Sequence, residues 1–441
     1  MTVYHRVRER WASRGGFVLA AIGSAAGLGN IWRFPYVVGE HGGAAFVLVY
    51  VVCVLLIGVP IVIAEAAVGR ATQRDPVAAF RSLAPSPPWS MIGVLGTVTV
   101  SLVLAFYGAV AGWTARFLFQ ALTGGLDADF GSFVAGAWQP LFWQAVMMAA
   151  TVAVIAGGVR GGIERCNRVL IPLLGAIVLG LAVFSLTRDG AGAGVRFFLA
   201  PDWRALLRAE VYLAAMGQAF FSLGVGACVF VAYGSYLGRR DGLARSAGAI
   251  ATGDTLIALL AGLAIFPAVF AFGLDPAAGP QLAFVTLPSL FAIMPGGAAV
   301  GALFFLLLAA AALTSMLSML ELPVAWLTRR TGWSRRRAAI AAGVVIYLFG
   351  VPASLGFGPW KAVSIGGRGI LAMMDYAASN VALPLGGLLI ALFVGWRWGP
   401  ARALLAAGLR SRKLARIWIW LLRVVAPAAI GLIFLRAVAV I

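Results

Sequence analysis

Histidine and acid are scarce in this chain. Its 441 residues include 2 His, 3 Cys and 15 Asp plus Glu, against 34 Lys plus Arg. His5 and His41 belong to no His-Glu-x-x-His pair and no Gly-x-Ser-x-Gly is present, so zinc-hydrolase and nucleophile-elbow chemistry lack their parts and no enzyme is expected. Cys53, Cys166 and Cys228 follow no pairing motif and sit in or beside apolar runs, where Cys acts as a small buried residue. Charge of either sign is also rare. Only 11% of residues are charged while 62% are hydrophobic, and the mean hydropathy is +0.97, which excludes a soluble globular domain. No linker rich in Pro, Ser or charge divides the chain, so a single membrane domain, residues 1–441, is expected.

Apolar runs long enough to cross a bilayer lie at 16–38, 43–69, 90–122, 139–157, 165–186, 211–237, 243–273, 297–327, 337–354, 369–396 and 415–438. They predict an all-α polytopic protein with 11 transmembrane helices. The first run follows Arg6, Arg8, Arg10 and Arg14, is long and broken, and has no small-residue cleavage site, so it is expected to stay as a helix. The net charge of +19 points to no nucleic acid, because the basic residues fall in alternate loops. Arg70, Arg74 and Arg81, then Arg160, Arg165 and Arg168, then Arg239, Arg240 and Arg245 share one side with Arg329 to Arg337 and with Arg397 to Arg416. The opposite loops hold few basic residues apart from the segment 187–209, where Arg188, Arg196, Arg204 and Arg208 are mixed with Asp189 and Asp202 and followed by Glu210. The positive-inside rule then sets the N-terminus in the cytoplasm and, with an odd helix count, the C-terminus outside.

Two of these runs are broken at membrane depth. Gly27-Leu28-Gly29-Asn30-Ile31-Trp32-Arg33-Phe34-Pro35 interrupts the first, and Phe220-Phe221-Ser222-Leu223-Gly224-Val225-Gly226-Ala227 interrupts the sixth. Unpaired backbone in hydrocarbon costs several kcal/mol per group and survives only where it lines a cavity or binds something. Paired breaks of this kind mark a transporter. The spans that follow them carry Gly58-Val59-Pro60 and Ile265-Phe266-Pro267. Five helices separate the breaks, and an odd number reverses the second half, as in a five-plus-five inverted repeat of about 11–186 and about 210–396 with an extra helix at about 415–438. Segment 274–296, with Pro276, Pro280, Pro288 and Pro295, reads as an outer loop able to act as a lid.

With these motifs the chain resembles the neurotransmitter:sodium symporters. The resemblance spans nearly its whole length: the first break, Gly58-Val59-Pro60 with Glu65, Gly69 and Arg70, the Phe-Phe-Ser-Leu-Gly break, Leu313-Thr314-Ser315, and Asp375 with Leu383-Pro384-Leu385-Gly386-Gly387. It implies the LeuT fold, an eleven-helix bacterial member in the cytoplasmic membrane with a periplasmic C-terminus, and sodium-coupled import of an amino acid by a monomer or weak dimer. A break from Ala25 to Gly29 exposes carbonyls on one side and helix N-terminal amides on the other, which suits a cation beside a carboxylate. By resemblance, the Gly29 amide and Tyr107 hydroxyl hold the substrate carboxylate. Ser24, Ala25, Leu28, Val103, Phe221, Ser222, Gly224, Ala227, Ser315 and Met319 complete the substrate site. A first sodium site is implied at Ala25, Asn30, Ser222 and Asp254 and a second at Gly23, Ala26, Ala311, Thr314 and Ser315, two Na⁺ in all.

Asp254 stands where family members carry a neutral Asn, and Ala258 stands four residues later, where an acid or a chloride-binding Ser is found. Intramembrane acids are costly and usually functional. Transport is therefore expected to be independent of chloride, the fixed carboxylate supplying the anion's field, with proton antiport on the return step as a corollary. Ala227 replaces a second Phe of the family and Gly224 a Ser, so the pocket is expected to admit aromatic or large aliphatic neutral L-amino acids and to reject charged ones. Arg33 and Asp375 are implied as the outer gate, with Gln218 positioning Arg33, and Glu65 as a cap on broken-helix backbone. Inside, Arg8 and Trp11 match gate residues, but the acid expected near the end of the eighth helix is missing, the chain there reading Thr328-Arg329-Arg330, and Tyr236 is expected to take its place. The competing readings are a proton-coupled transporter or an amino-acid sensor on the same fold.

Overall fold

The computed structural model describes residues 10–86, 88–123, 130–238, 242–277, 282–293, 296–409 and 411–439. Arg8, Pro280 and Pro295 lie outside them. Among the described residues nine helices are long and apolar enough to cross a membrane, or ten with one bent pair counted as a span. In the order of the apolar runs, the bent pair Arg14–Ala25 plus Gly29–Glu40 is the first span, Ala44–Thr72 the second, Trp89–Thr123 the third, Trp138–Ala156 the fourth, Val159–Leu186 the fifth, Leu243–Ala271 the seventh, Gly297–Thr331 the eighth, Arg335–Leu355 the ninth, Ile370–Arg397 the tenth and Arg412–Leu432 the eleventh. Most bounds match the apolar runs to within a few residues. The fifth span starts earlier than hydropathy indicates, because a π-helical turn at Val159–Glu164 carries the helix through Arg160, Gly161 and Gly162.

The first span bends by 44° where Arg14–Ala25 gives way to Gly29–Glu40. Ser13 caps its start, accepting a hydrogen bond from the Gly16 amide, and the helix stops at Ala26, whose ψ of 61° leaves the helical region. In the sixth segment Ala209–Leu223 stops at Gly224, φ 66°, and Val229–Ser235 resumes after Cys228, φ 61°. The two pieces are each too short to span alone. Gly226 has a φ of 89°, and a Cβ there would sit 2.1 Å from the Leu383 carbonyl oxygen; a Cβ on Gly386 would sit equally close to the Gly226 oxygen. Glycines on both sides thus let the tenth span press against the break.

The half-helix Arg14–Ala25 packs on the fifth, seventh and eighth spans, and Val229–Ser235 packs on the second. Glycine again sets the approach: a Cβ on Gly69 would lie 2.0 Å from the Val231 oxygen. The broken segments therefore occupy the centre of the bundle. The described residues of the segment 274–296 are not an open loop. It contains a helix, Thr286–Ile293, and Phe284 stacks on Phe130 at 5.6 Å and meets Trp113 and Phe117 edgewise. A two-residue hairpin, Ser364–Ile365 with Arg368–Gly369, joins the ninth and tenth spans.

Candidate functional site

Both breaks face one cavity. Ser24, Ala25, Gly29, Val103, Tyr107, Phe221, Gly224, Ala227, Ser315 and Met319 line it, together with Gly27, Val100, Val229, Ser318 and Leu383. Among the described residues no charged side chain is on this wall. Tyr107 reaches the break directly: its Oη accepts the Leu28 N–H at 2.9 Å. Leu28 and Ser222, also expected at the substrate, are not wall residues; Leu28 is fully buried behind its amide, and Ser222 turns toward Asp254. A Cβ on Gly27 would lie 2.0 Å from Ser315 Oγ and 2.7 Å from Tyr107 Oη, so bare backbone is what lets these hydroxyls close on the break.

Beside the cavity lies an oxygen-rich cluster. Asn30, Ser222 and Asp254 are all buried, and Ser222 Oγ is 2.8 Å from Asn30 Oδ1 and 2.8 and 2.9 Å from the two carboxylate oxygens of Asp254. One hydroxyl hydrogen cannot serve three acceptors. The surplus of oxygen over hydrogen is what a hard cation such as Na⁺ relieves, and it needs no soft ligand. Asn30 Nδ2 donates to Asp254 Oδ1 at 2.8 Å and to its carbonyl at 2.7 Å, and Tyr50 Oη donates to Oδ2 at 3.1 Å. Tyr50 escaped the sequence reading because a lone Tyr in the run Ala44–Cys53 looks like core.

A second group forms where the eighth span crosses the first half-helix. Ser315 Oγ donates at 3.1 Å to the Ser24 carbonyl and sits 3.4 Å from that of Gly23, while Thr314 Oγ1 donates to the Ala311 carbonyl at 3.0 Å. Ala26 and Ala311 are buried in the same core. Four of the five expected second-site residues thus take part in its hydrogen bonding or backbone contacts. Ser318, absent from the sequence reading, joins them, accepting from Ser24 Oγ at 2.7 Å.

Above the cavity, Arg33 Nη2 is 3.7 Å from Asp375 Oδ2 and its Nη1 donates to Gln218 Oε1 at 2.8 Å. Gln218 Nε2 donates in turn to the Gly29 carbonyl at 2.7 Å, and the guanidinium stands 4.8 Å over the Phe221 ring. One chain of contacts therefore links the broken backbone to the charge pair. Glu65, fully buried, accepts the Gly226 N–H at 2.7 Å and the Phe230 N–H at 3.1 Å, satisfying donors released by the second break.

On the opposite side Trp11 Nε1 donates to the Tyr233 carbonyl at 3.0 Å and its backbone N–H reaches that of Tyr236 at 3.4 Å. Tyr236 holds the N-terminal segment through its carbonyl, whereas its hydroxyl donates at 2.6 Å to Glu321, which Arg335 also pairs. The eighth span does carry an acid, two turns before Thr328 rather than at the helix end. Glu164 was missed as well. It accepts the Ala12 N–H at 2.7 Å and contacts Ser13 Oγ and Arg168. Glu321 is an acid inside an apolar run, which sequence alone can flag, whereas Glu164 stands among Arg160, Arg165 and Arg168 and reads as part of a basic loop.

The sequence profile of the Sodium:neurotransmitter symporter family matches residues 8–131 and 136–441. The sodium-dependent transporter YhdH of Bacillus subtilis is 39% identical over 98% of both chains. The crystal structure of MhsT in complex with L-phenylalanine superposes with a TM-score of 0.93 at 49% identity, covering 97% of this chain and 99% of that one. A sodium- and chloride-dependent taurine transporter of Bos taurus is 27% identical over 89% of this chain and 72% of its own.

Proposed function

Because the chain belongs to the Sodium:neurotransmitter symporter family, we propose that it imports neutral hydrophobic L-amino acids, aromatic or large aliphatic, by sodium symport and alternating access. The observation that carries this reading is the uncharged cavity shared by both breaks, with the oxygen cluster of Asn30, Ser222 and Asp254 against it. The binding of L-phenylalanine by MhsT, at 49% identity, supports the substrate class. The fold is then eleven helices with a five-plus-five inverted repeat, the sixth being Ala209–Leu223 with Val229–Ser235. The alternation of basic loops supports an orientation with the N-terminus inside, and kinship with bacterial transporters supports a bacterial cytoplasmic membrane.

In this scheme one Na⁺ takes Ala25, Asn30, Ser222, Asp254 and the substrate carboxylate, so substrate completes the ion site. A second takes Gly23, Ala26, Ala311, Thr314 and Ser315 where Arg14–Ala25 meets the eighth span. Each ligand shifts a population toward the state it binds better. Outside, Arg33 and Asp375 close over Phe221. Inside, release of Trp11 from the Tyr233 and Tyr236 carbonyls frees the first half-helix to swing. Moving one charge through about 100 mV supplies about 2.3 kcal/mol, so two Na⁺ give about 4.6 kcal/mol from voltage alone. At about 1.4 kcal/mol per tenfold, that sustains accumulation of order 10³.

The test is uptake of labelled L-amino acids into liposomes, inward sodium against potassium and gluconate against chloride. Sodium-dependent, chloride-insensitive uptake of large neutral side chains is expected. Sodium-independent uptake would overturn the ion sites in favour of proton coupling, and binding without counterflow would identify a sensor.

Ala227 makes the size argument testable. It is 2% exposed on the cavity wall, so Ala227→Phe places a ring where bulky substrate should lie. Overfilling a packed site costs about 1–3 kcal/mol. Uptake of tryptophan or phenylalanine is expected to fall roughly 5- to 150-fold relative to alanine; competition assays with an unchanged order of preference would remove Ala227 from the pocket.

A further inference from the structure

A long groove opens on the outer surface of the bundle between the third, eighth and ninth spans, away from the amino-acid cavity. Its walls are almost wholly apolar, and Val98, Val345 and Phe349 on them are 60%, 51% and 71% exposed. At one end it runs into a polar cleft formed by Arg74, Asp75, Arg81, Arg329 and Arg330, the two depressions sharing Val77, Arg81, Trp326 and Arg330. That end lies on the side of the basic loops.

The charge in the cleft is unbalanced. Asp75 is already engaged: its Oδ1 accepts the Ala78 N–H at 3.0 Å, and its Oδ2 is 2.8 Å from Arg329 Nε. Arg74, Arg81 and Arg330 form no ion pair among the described residues. Three guanidinium groups beside a trough of lipid-exposed hydrocarbon fit a molecule with an anionic head and long apolar tails. Arginine is suited to phosphate through its planar fork of donors. Trp326 and Trp333 stand at the same end, where amphipathic rings mark headgroup depth. A neutral lipid would fill the trough but leave the guanidinium charge unanswered.

We infer that cleft and groove together form a binding site for one anionic phospholipid of the leaflet facing the basic loops. Its phosphate is held among Arg74, Arg81 and Arg330, and an acyl chain lies along Val98, Val345 and Phe349. A helix of a second copy would cover the groove without answering the charge, which is why the observations favour lipid.

The test uses the full chain in nanodiscs of mixed phosphatidylcholine and phosphatidylglycerol, followed by native mass spectrometry of the released protein. One phosphatidylglycerol is expected to be retained, preferred over phosphatidylcholine by roughly tenfold or more. Arg81→Gln with Arg330→Gln should abolish the preference while the sodium-dependent thermal shift stays as in the parent, showing that the fold and ion sites persist. Val345→Trp, which fills the trough from an exposed position, should lower retention of both lipids. Equal retention of the two lipids by the parent protein, or an unchanged preference in the double variant, would overturn the proposal. So would cross-linking of two copies through Val345→Cys in phosphatidylglycerol-rich membrane, which would assign the groove to a second copy.

Discussion

Asp254→Asn is expected to weaken sodium binding by roughly 10³-fold while leaving the sodium-free protein as stable as its parent or more so. Asn is nearly the same shape and keeps an oxygen for Asn30 Nδ2 and Ser222 Oγ, so the change is one of charge. A unit charge about 4 Å from Na⁺ at an effective dielectric near 20 contributes about 4 kcal/mol, which at about 1.4 kcal/mol per tenfold gives the stated loss. Without a cation the same carboxylate is a buried charge held by the donors of Asn30, Ser222 and Tyr50, and neutralising it removes a desolvation cost. Thermal unfolding with and without sodium separates the effects: the shift produced by sodium should vanish while the sodium-free midpoint holds or rises. If the carboxylate supplies the field of an anion, chloride should restore part of the lost uptake where gluconate does not. An unaltered sodium dependence would remove Asp254 from the ion site.

Glu65→Ala should fail differently, through the fold. Both carboxylate oxygens accept backbone N–H groups of the second break, from Gly226 at 2.7 Å and Phe230 at 3.1 Å, inside a fully buried shell. Alanine leaves both donors without partners in a place water does not reach. At about 1–3 kcal/mol for each orphaned group, the loss is about 2–6 kcal/mol, comparable with the whole stability of many domains. A collapse of the monodisperse fraction on size exclusion and a much lower unfolding midpoint are expected. Glu65→Gln keeps one acceptor and turns an NH₂ toward the other amide, so its midpoint should fall between the two. A parent-like midpoint for Glu65→Ala would show that the break finds its partners elsewhere.

These two acids show how far local sequence carries. Each is conspicuous as a charge in an apolar run, and Glu65 is read as a backbone cap and Asp254 as an ion ligand before any coordinate is known. Glu321 carries the same signal, whereas Glu164 stands among Arg160, Arg165 and Arg168 and looks like an ordinary loop acid until the N-terminal segment packs against it. Tyr50 carries none, since a phenol in an apolar helix is indistinguishable from core until its partner 204 residues away is placed beside it. The break in the sixth segment was legible from Gly224 and Gly226, but the residues that crowd it, Leu383 and Gly386, come from a span more than 150 residues downstream.

Class, the course of most spans and the places where helices must break were determined by the sequence itself, because hydropathy, glycine and proline act over a few residues and the bilayer admits few alternatives. Which polar groups meet was decided only by the tertiary structure. Asn30, Ser222 and Asp254 form one oxygen cluster, Trp11 seats on Tyr233, and Arg81 and Arg330 end beside one groove because helices far apart in sequence pack side by side. Such meetings depend on crossing angles and on the small residues that let backbones approach, a property of helix pairs that no single helix contains.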